Sequence, residues 1–175
     1  PSNLGTAGAI VERVRAAIAE RGLEALTLST ISSARARELG MGLFTAVDAG
    51  AGGRGCILRL DYDGSQAEDA PLLALLGKGM THDTGGYNLK TSGTVHELTH
   101  DKCGAMAVIG AMLGIAELEL PVRVTALCPM TENCVDARAY KPGDILTAVD
   151  GTTVYVENTD AEGRLILADV LAWLC

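Results

Sequence analysis

Two short apolar runs, Leu72–Leu76 and Val122–Leu127, flank Cys103–Ala116, fourteen residues without a charge, closed by Lys102 and Glu117. The middle stretch is shorter than the roughly 20 apolar residues that span a bilayer, so it predicts a buried helix running to about Glu119. Strand, helix and strand in that order form the crossover of a parallel sheet. Pro71 and Gly77 bound the first strand, and its unbroken apolar run predicts cover on both faces. The chain therefore reads as α/β: a mixed, largely parallel sheet flanked by helices.

The flanking sequence is compatible with that plan. Ile10, Val11, Val14 and Ile18 recur at helical spacing within Thr6–Glu20, and Gly22 supplies the stop. A short strand is expected at Ala25–Leu28, a helix from Ser33 to Leu39 ending at Gly40, and a strand at Cys56–Leu60. Ile145–Val149 and Thr153–Glu157, joined through Asp150-Gly151, spell a hairpin with a type I′ turn. A last helix is expected from Asp160 to Leu174 with Thr159 as its cap. No internal repeat or low-complexity linker divides the chain.

Charge narrows the partners. With 14 basic and 22 acidic residues the formal charge is −8, which lacks the basic footprint of nucleic-acid binding and is repelled by anionic lipid. Aromatics at 3% argue against a base-stacking platform. Neither a nucleic-acid nor a membrane partner is expected. Pro1–Gly5 shows no signal peptide, so a cytoplasmic location is expected, or an organelle if a targeting segment has been removed. Five cysteines, with no CxxC pair, indicate neither a disulfide framework nor a zinc knuckle and suit a reducing compartment.

Two motifs promise more than their context supports. Gly50, Gly52 and Gly55 have GxGxxG spacing, but a dinucleotide site needs a strand before the glycines and a helix after them. Here the order is reversed, which predicts a surface loop. His96-Glu97-Leu98-Thr99-His100 matches HExxH, in which two histidines on one helical face hold zinc. A third ligand is wanting, because the following helix offers only Glu117 and Glu119, and Thr91-Ser92-Gly93-Thr94 is a poor helix start. The pentapeptide reads as a coincidence. If it were a zinc site, His96→Ala would abolish metal binding and Asp83→Ala would not.

Asn158-Thr159-Asp160-Ala161-Glu162-Gly163-Arg164-Leu165 puts two carboxylates and a guanidinium at alternate positions, after a strand and at a helix start. In extended backbone alternate side chains share a side, so Asp160, Glu162 and Arg164 can converge on one pocket. A capped helix start favoured by the dipole would explain the two acids singly, but not the whole string. The octapeptide resembles the signature of the leucine aminopeptidase (cytosol aminopeptidase) family. Gly77-Lys78-Gly79-Met80-Thr81-His82-Asp83-Thr84-Gly85-Gly86 with Lys90, then Asp101 before the small-residue helix, resembles that family too. So do Thr131-Glu132-Asn133 and Ala139-Tyr140-Lys141-Pro142-Gly143-Asp144, while Pro1-Ser2-Asn3 is similar to the start of its catalytic domain.

The resemblance implies a metal-dependent aminopeptidase that removes the N-terminal residue of peptides with a water activated by two divalent ions, Zn, Mn, Mg or Co. Asp83 and Glu162 would bridge the ions, Lys78 and Asp101 complete one, and Asp160 the other. Lys90 and Arg164 would be catalytic, Lys90 stabilising the oxyanion and Arg164 holding a bicarbonate that serves as general base. Asn158 and Leu98 would meet the peptide substrate. Lys78 can ligate only as a neutral amine, which burial beside two cations favours. Lys78 and Asp83 would follow the strand at Leu72–Leu76, and Asn158–Arg164 another, at the carboxyl ends of a sheet.

Residues 1–70 are expected to supply leading helices and strands, and 71–175 the metal-site core. The family's subunit is longer, with an amino-terminal domain and a continuation past Cys175, so the chain reads as an incomplete part of that catalytic domain. It would need the remainder of the subunit or a second chain, within a homo-oligomer that is hexameric in the resembled family. Its sheet would then leave an uncovered edge and face. His82 replaces a usual aromatic, and Cys103 falls in a normally Gly-rich stretch. The competing reading is a catalytically silent, aminopeptidase-derived structural subunit of a larger assembly.

Overall fold

A computed structural model describes residues 2–65, 67, 69–91 and 95–175. The readings of Pro1 and of Ser92, Gly93 and Thr94 lie outside the described residues. In chain order the elements are α1 (Ala7–Glu20), β1 (Leu26–Ser32), α2 (Ser33–Glu38), α3 (Gly42–Gly50), β2 (Cys56–Asp63), β3 (Leu72–Leu76) and β4 (Gly79–Asp83). A 3-10 segment at Val95–His100 follows, then α4 (Cys103–Glu117), β5 (Arg123–Asn133), β6 (Ile145–Thr147) and β7 (Thr153–Tyr155). The chain closes with a 3-10 turn at Thr159–Ala161 and α5 (Glu162–Leu174).

The eleven-residue β5 organises the sheet. Its neighbour β2 is antiparallel to it, and β1 is antiparallel to β2. On the other side β3 and β4 both run parallel to β5, pairing its first half from Arg123 to Leu127 and its second from Met130 to Asn133. They are two parts of one edge, broken at Gly77-Lys78. The break seats α4: the Ala105 N–H donates to the Lys78 carbonyl at 2.8 Å, satisfying a first-turn donor that no side chain caps. A Cβ on Gly77 would lie 2.7 Å from Ala105 Cα, so only glycine permits this approach.

Apolar side chains fill both faces. Leu58, Leu60, Val124, Ala126 and Cys128 pack against α1 and α4. Ile57, Met80 and Leu127 point the other way, into Phe44, Val47, Ile166 and Val170 of α3 and α5. This is the expected mixed α/β architecture, with the β3–α4–β5 crossover in place. Among the described residues, no helix is long and apolar enough to cross a membrane.

Several expectations need correction. Leu72 and Leu73 of β3 are 54% and 50% exposed, so that strand is an edge and not covered on both faces. Helix α4 is fully buried only along Ala105, Ile109, Met112 and Ala116; Met106, Val108, Leu113 and Ile115 are half-buried beside that stripe, and small residues such as Ala107, Gly110 and Ala111 face out. An uncharged stretch is not the same thing as a covered one. In the hairpin only Gly151 has a positive φ, and its N–H donates to Ala148 O at 2.9 Å, so the turn is not type I′. Strands β1 and β5 run longer than expected, and α3 and β4 were not anticipated. The amide of Phe44, in the first turn of α3, donates to Asp169 Oδ2 at 2.8 Å, a cap supplied from α5.

Gly50 ends α3 and Gly55 leads into β2, the reverse of a dinucleotide fingerprint. A Cβ on Gly55 would come within 2.5 Å of Asp48 Oδ1 and 2.7 Å of Met130 O, so this glycine serves close packing of the loop on β5.

Candidate metal centre

Strands β4 and β5 end side by side in Asp83 and Asn133. Asp83 is 2% exposed, and its Oδ1 accepts from Gly85 N and Asn133 Nδ2, both at 3.0 Å. The segment after β7 is fastened to the loop that leaves β4. Thr159 Oγ1 donates to Gly85 O at 2.6 Å and accepts from Asn88 N at 2.8 Å, while Thr159 N donates to Asn88 Oδ1 at 2.8 Å. Thr159 is thus a buried tie and not a helix cap; the side chain of Asn158 does the capping, accepting from Asp160 N at 2.8 Å.

These ties bring Asp83, Asp160 and Glu162 together, each offering an oxygen within 4.8 Å of the others. Two lysines interleave with the acids. Lys78 Nζ lies 2.7 Å from Asp101 Oδ2 and 2.8 Å from Glu162 Oε1. Lys90 Nζ lies 2.9 Å from Asp83 Oδ2 and also contacts Asp160 Oδ1. Five acid and lysine positions read as ligands are therefore drawn into one cluster, together with Lys90.

The route to convergence differs from the alternating one. Asp160 sits in a 3-10 turn, and Glu162 and Arg164 in the first turn of α5, where positions two apart point to different sides. Glu162 is fully buried against Lys78, whereas Asp160 and Arg164 are exposed. Arg164 lines a neighbouring cavity of about 560 Å³ with Asn158 and Asp160. A second cavity of about 480 Å³ is lined by Lys78, Asp83, Lys90, Leu98, Asp101 and Asp160, with Glu97 and His100 at its wall. The strand before Asn158–Arg164, β7, belongs to a separate two-stranded sheet, so only the ends of β3, before Lys78, and of β4, at Asp83, follow the rule for open sheets.

Burial raises the Glu162 pKa, with Lys78 pulling down and Asp83 pushing up; the net direction is upward. Asp101 also moves up, through burial first and then through Asp83, against the pull of Lys78. For Asp83 burial is outweighed by hydrogen bonds from Lys90, Gly85 and Asn133, which hold it below the ordinary range. Burial would lower Lys78, but the ion pairs with Asp101 and Glu162 prevail and raise it. The protein's own groups therefore favour the ammonium, contrary to a neutral Lys78; neutrality requires further positive charge close by.

The donor set fits divalent cations. Asp101 Oδ2 and Glu162 Oε1 are buried oxygens with no well-aligned hydrogen bond, although Lys78 Nζ is within ion-pair distance of both. Carboxylate oxygens gathered in this way are ligands for Mg, Mn, Zn or Co. His96 and His100 belong to a 3-10 segment, where three residues per turn set positions four apart on different faces, and both are exposed.

Asn133 was not anticipated as a site residue, nor were Asn88 and Tyr140 as the supports of Thr159 outside the cluster of acids. The Tyr140 hydroxyl donates to Thr159 O at 2.6 Å. Asn133 and Tyr140 lie inside stretches that carry the resemblance, but nothing in their spacing signals a contact with residues 26 and 19 positions away.

The sequence pattern of the cytosol aminopeptidase family's catalytic domain matches residues 1–175. Among solved structures the chain is similar to bottromycin maturation enzyme BotP in complex with Mn, at 36% identity and a TM-score of 0.87. It is also similar to a second structure of bottromycin maturation enzyme BotP, at 35% and 0.85, and to cytosol aminopeptidase from Coxiella burnetii, at 30% and 0.88. Each match covers 99% of this chain and 36% of the other, so the chain spans about a third of their length.

Proposed function

The chain belongs to the cytosol aminopeptidase family, and on that premise we propose that it carries the metal centre of an aminopeptidase acting on peptides through two divalent ions. The observation that carries the reading is the cluster of Asp83, Asp160 and Glu162, joined by Asp101 through Lys78. Asp83, Glu162, Lys78, Asp101 and Asp160 would hold the ions. The Mn named with BotP supports a site for such ions. Two ions in a site of this kind polarise the scissile carbonyl and make water nucleophilic at neutral pH.

The chain's own residues have distinct parts in this reading. Lys78 must release the proton that its carboxylate partners now favour before Nζ has a lone pair to offer. Lys90, whose pKa is raised by Asp160 and Asp83 against the effect of burial, stays an ammonium. Its Nζ is the donor for negative charge developing on the carbonyl oxygen. Arg164 makes no ion pair among the described residues, so its guanidinium is free to hold an anionic base such as bicarbonate in the adjoining cavity. Leu98 and Asn158, in the walls of the two cavities, would meet the substrate.

The test is metal content and aminoacyl-anilide hydrolysis by the full-length protein, wild type against Asp83→Ala and Glu162→Ala. About two ions per chain, with activity reduced at least 10²-fold in both variants, is expected. A metal-free, inactive protein would overturn the reading in favour of a non-catalytic structural subunit.

A further inference from the structure

Asn133 is the last residue of β5 and is 1% exposed. Its Nδ2 carries two hydrogens and faces three acceptors: Asp83 Oδ1 at 3.0 Å, Thr159 O at 3.0 Å and Glu162 Oε2 at 3.3 Å. Flipping the amide would aim its oxygen at two carboxylates and a carbonyl, so the acceptors dictate its orientation. Space for that orientation is made by Gly86, at φ +65°, where a Cβ would lie 2.8 Å from Asn133 Oδ1. Among the described residues no other side chain donates to both Asp83 and Glu162.

The contacts divide the carboxylates in a consistent way. Asn133 takes one oxygen from each, Oδ1 of Asp83 and Oε2 of Glu162. The other oxygens, Asp83 Oδ2 and Glu162 Oε1, are turned to Lys90 and Lys78. Through Thr159 O the same amide also anchors the backbone immediately before Asp160. We propose that Asn133 is a positioning residue of the metal centre, whose amide sets the orientation of Asp83 and Glu162 toward the ions and thereby their affinity. This rests on the reading of Asp83 and Glu162 as ligands. Partners of this kind behind metal ligands are worth about 10–100-fold in metal affinity.

The probe is Mn(II) titrated into the full-length protein after chelator treatment, with free Mn(II) followed by electron paramagnetic resonance and folding by thermal melt. Asn133→Ala is expected to weaken Mn(II) binding about 10–100-fold, and Asn133→Leu, which keeps most of the volume without the donors, equally. Tyr140→Phe removes the other hydrogen bond to Thr159 O without touching either carboxylate, and should leave Mn(II) affinity within about twofold. Wild-type affinity in both Asn133 variants would overturn the proposal while leaving the aminopeptidase reading intact. An equal loss in Tyr140→Phe would overturn it as well, since anchoring of the backbone would then account for the effect. So would failure of both Asn133 variants to fold, because the amide would then serve the fold itself. A wild-type protein that takes up no Mn(II) would remove the metal-centre reading, and this proposal with it.

Discussion

Gly163→Ala should disturb the site more than the fold. A Cβ at Gly163 would stand 2.5 Å from Lys78 Cε, 2.7 Å from Cδ and 2.9 Å from Nζ. Carbon atoms rest about 3.5–4 Å apart, so the end of the lysine must retreat by about 1 Å. That stretches the 2.8 Å contact with Glu162 Oε1 toward about 3.8 Å. At an effective dielectric of about 20 the attraction falls by about 1.5 kcal/mol, and the 2.7 Å contact with Asp101 weakens by a similar amount. Helix propensity returns at most about 1 kcal/mol, leaving a net loss of about 2–3 kcal/mol. Displacing a reacting group by about 1 Å can cost about 10²-fold in kcat/KM. Gly114→Ala is the control, because nothing lies within 4 Å of a Cβ there. Thermal melts and aminoacyl-anilide kinetics on the full-length protein would read both effects. If Gly163→Ala kept kcat/KM within twofold and gained stability as Gly114→Ala does, the steric argument would be wrong.

Other consequences concern pH, a cap and the histidines. Asp83 has a depressed pKa in the folded chain, so its contribution is complete above the unfolded value near 3.9 and is lost as pH falls through the lower folded value. In chelator, Asp83→Asn should cost about 1.5–3 kcal/mol at pH 7, and the gap to wild type should close below about pH 4; a gap constant down to pH 3 would contradict this. Asp169 accepts from Phe44 N through Oδ2 and Val149 N through Oδ1, at 2.8 and 2.9 Å. In Asp169→Asn one acceptor becomes an NH2 facing an N–H, and urea melts should show a loss of about 1–3 kcal/mol, whereas an unchanged midpoint would refute the cap. His96→Ala should leave metal content unaltered and stability within about 0.5 kcal/mol. Loss of metal in that variant would revive the HExxH reading.

Elements that depend on neighbours in sequence were legible. Thr6 caps α1, Ile10, Val11 and Val14 form its buried stripe, and Gly22 adopts φ +63° just beyond its end. The β3–α4–β5 crossover followed from two apolar runs around an uncharged stretch. The residues that gather in the centre were named in advance from motifs, because their chemistry survives as a pattern of residue types. The arrangement was not: an alternation that suggests extended backbone proved to be a helix start, and Arg164 faces a different cavity from Lys78.

The amino-acid sequence by itself determined the α/β class and the crossover, and its family resemblance named the acids and lysines that meet. Periodicity and side-chain chemistry are local properties, readable one segment at a time. Only the tertiary structure decided that β3 is an exposed edge, that Asp169 caps a helix 125 residues earlier, and that Asn133 reaches both Asp83 and Glu162. Each of these depends on which distant segment arrives beside a given donor or apolar face. A residue's own neighbours carry no record of that arrival; it is set when the Thr159 segment fastens to the loop after β4 and brings the ends of β4 and β5 and the start of α5 to one place.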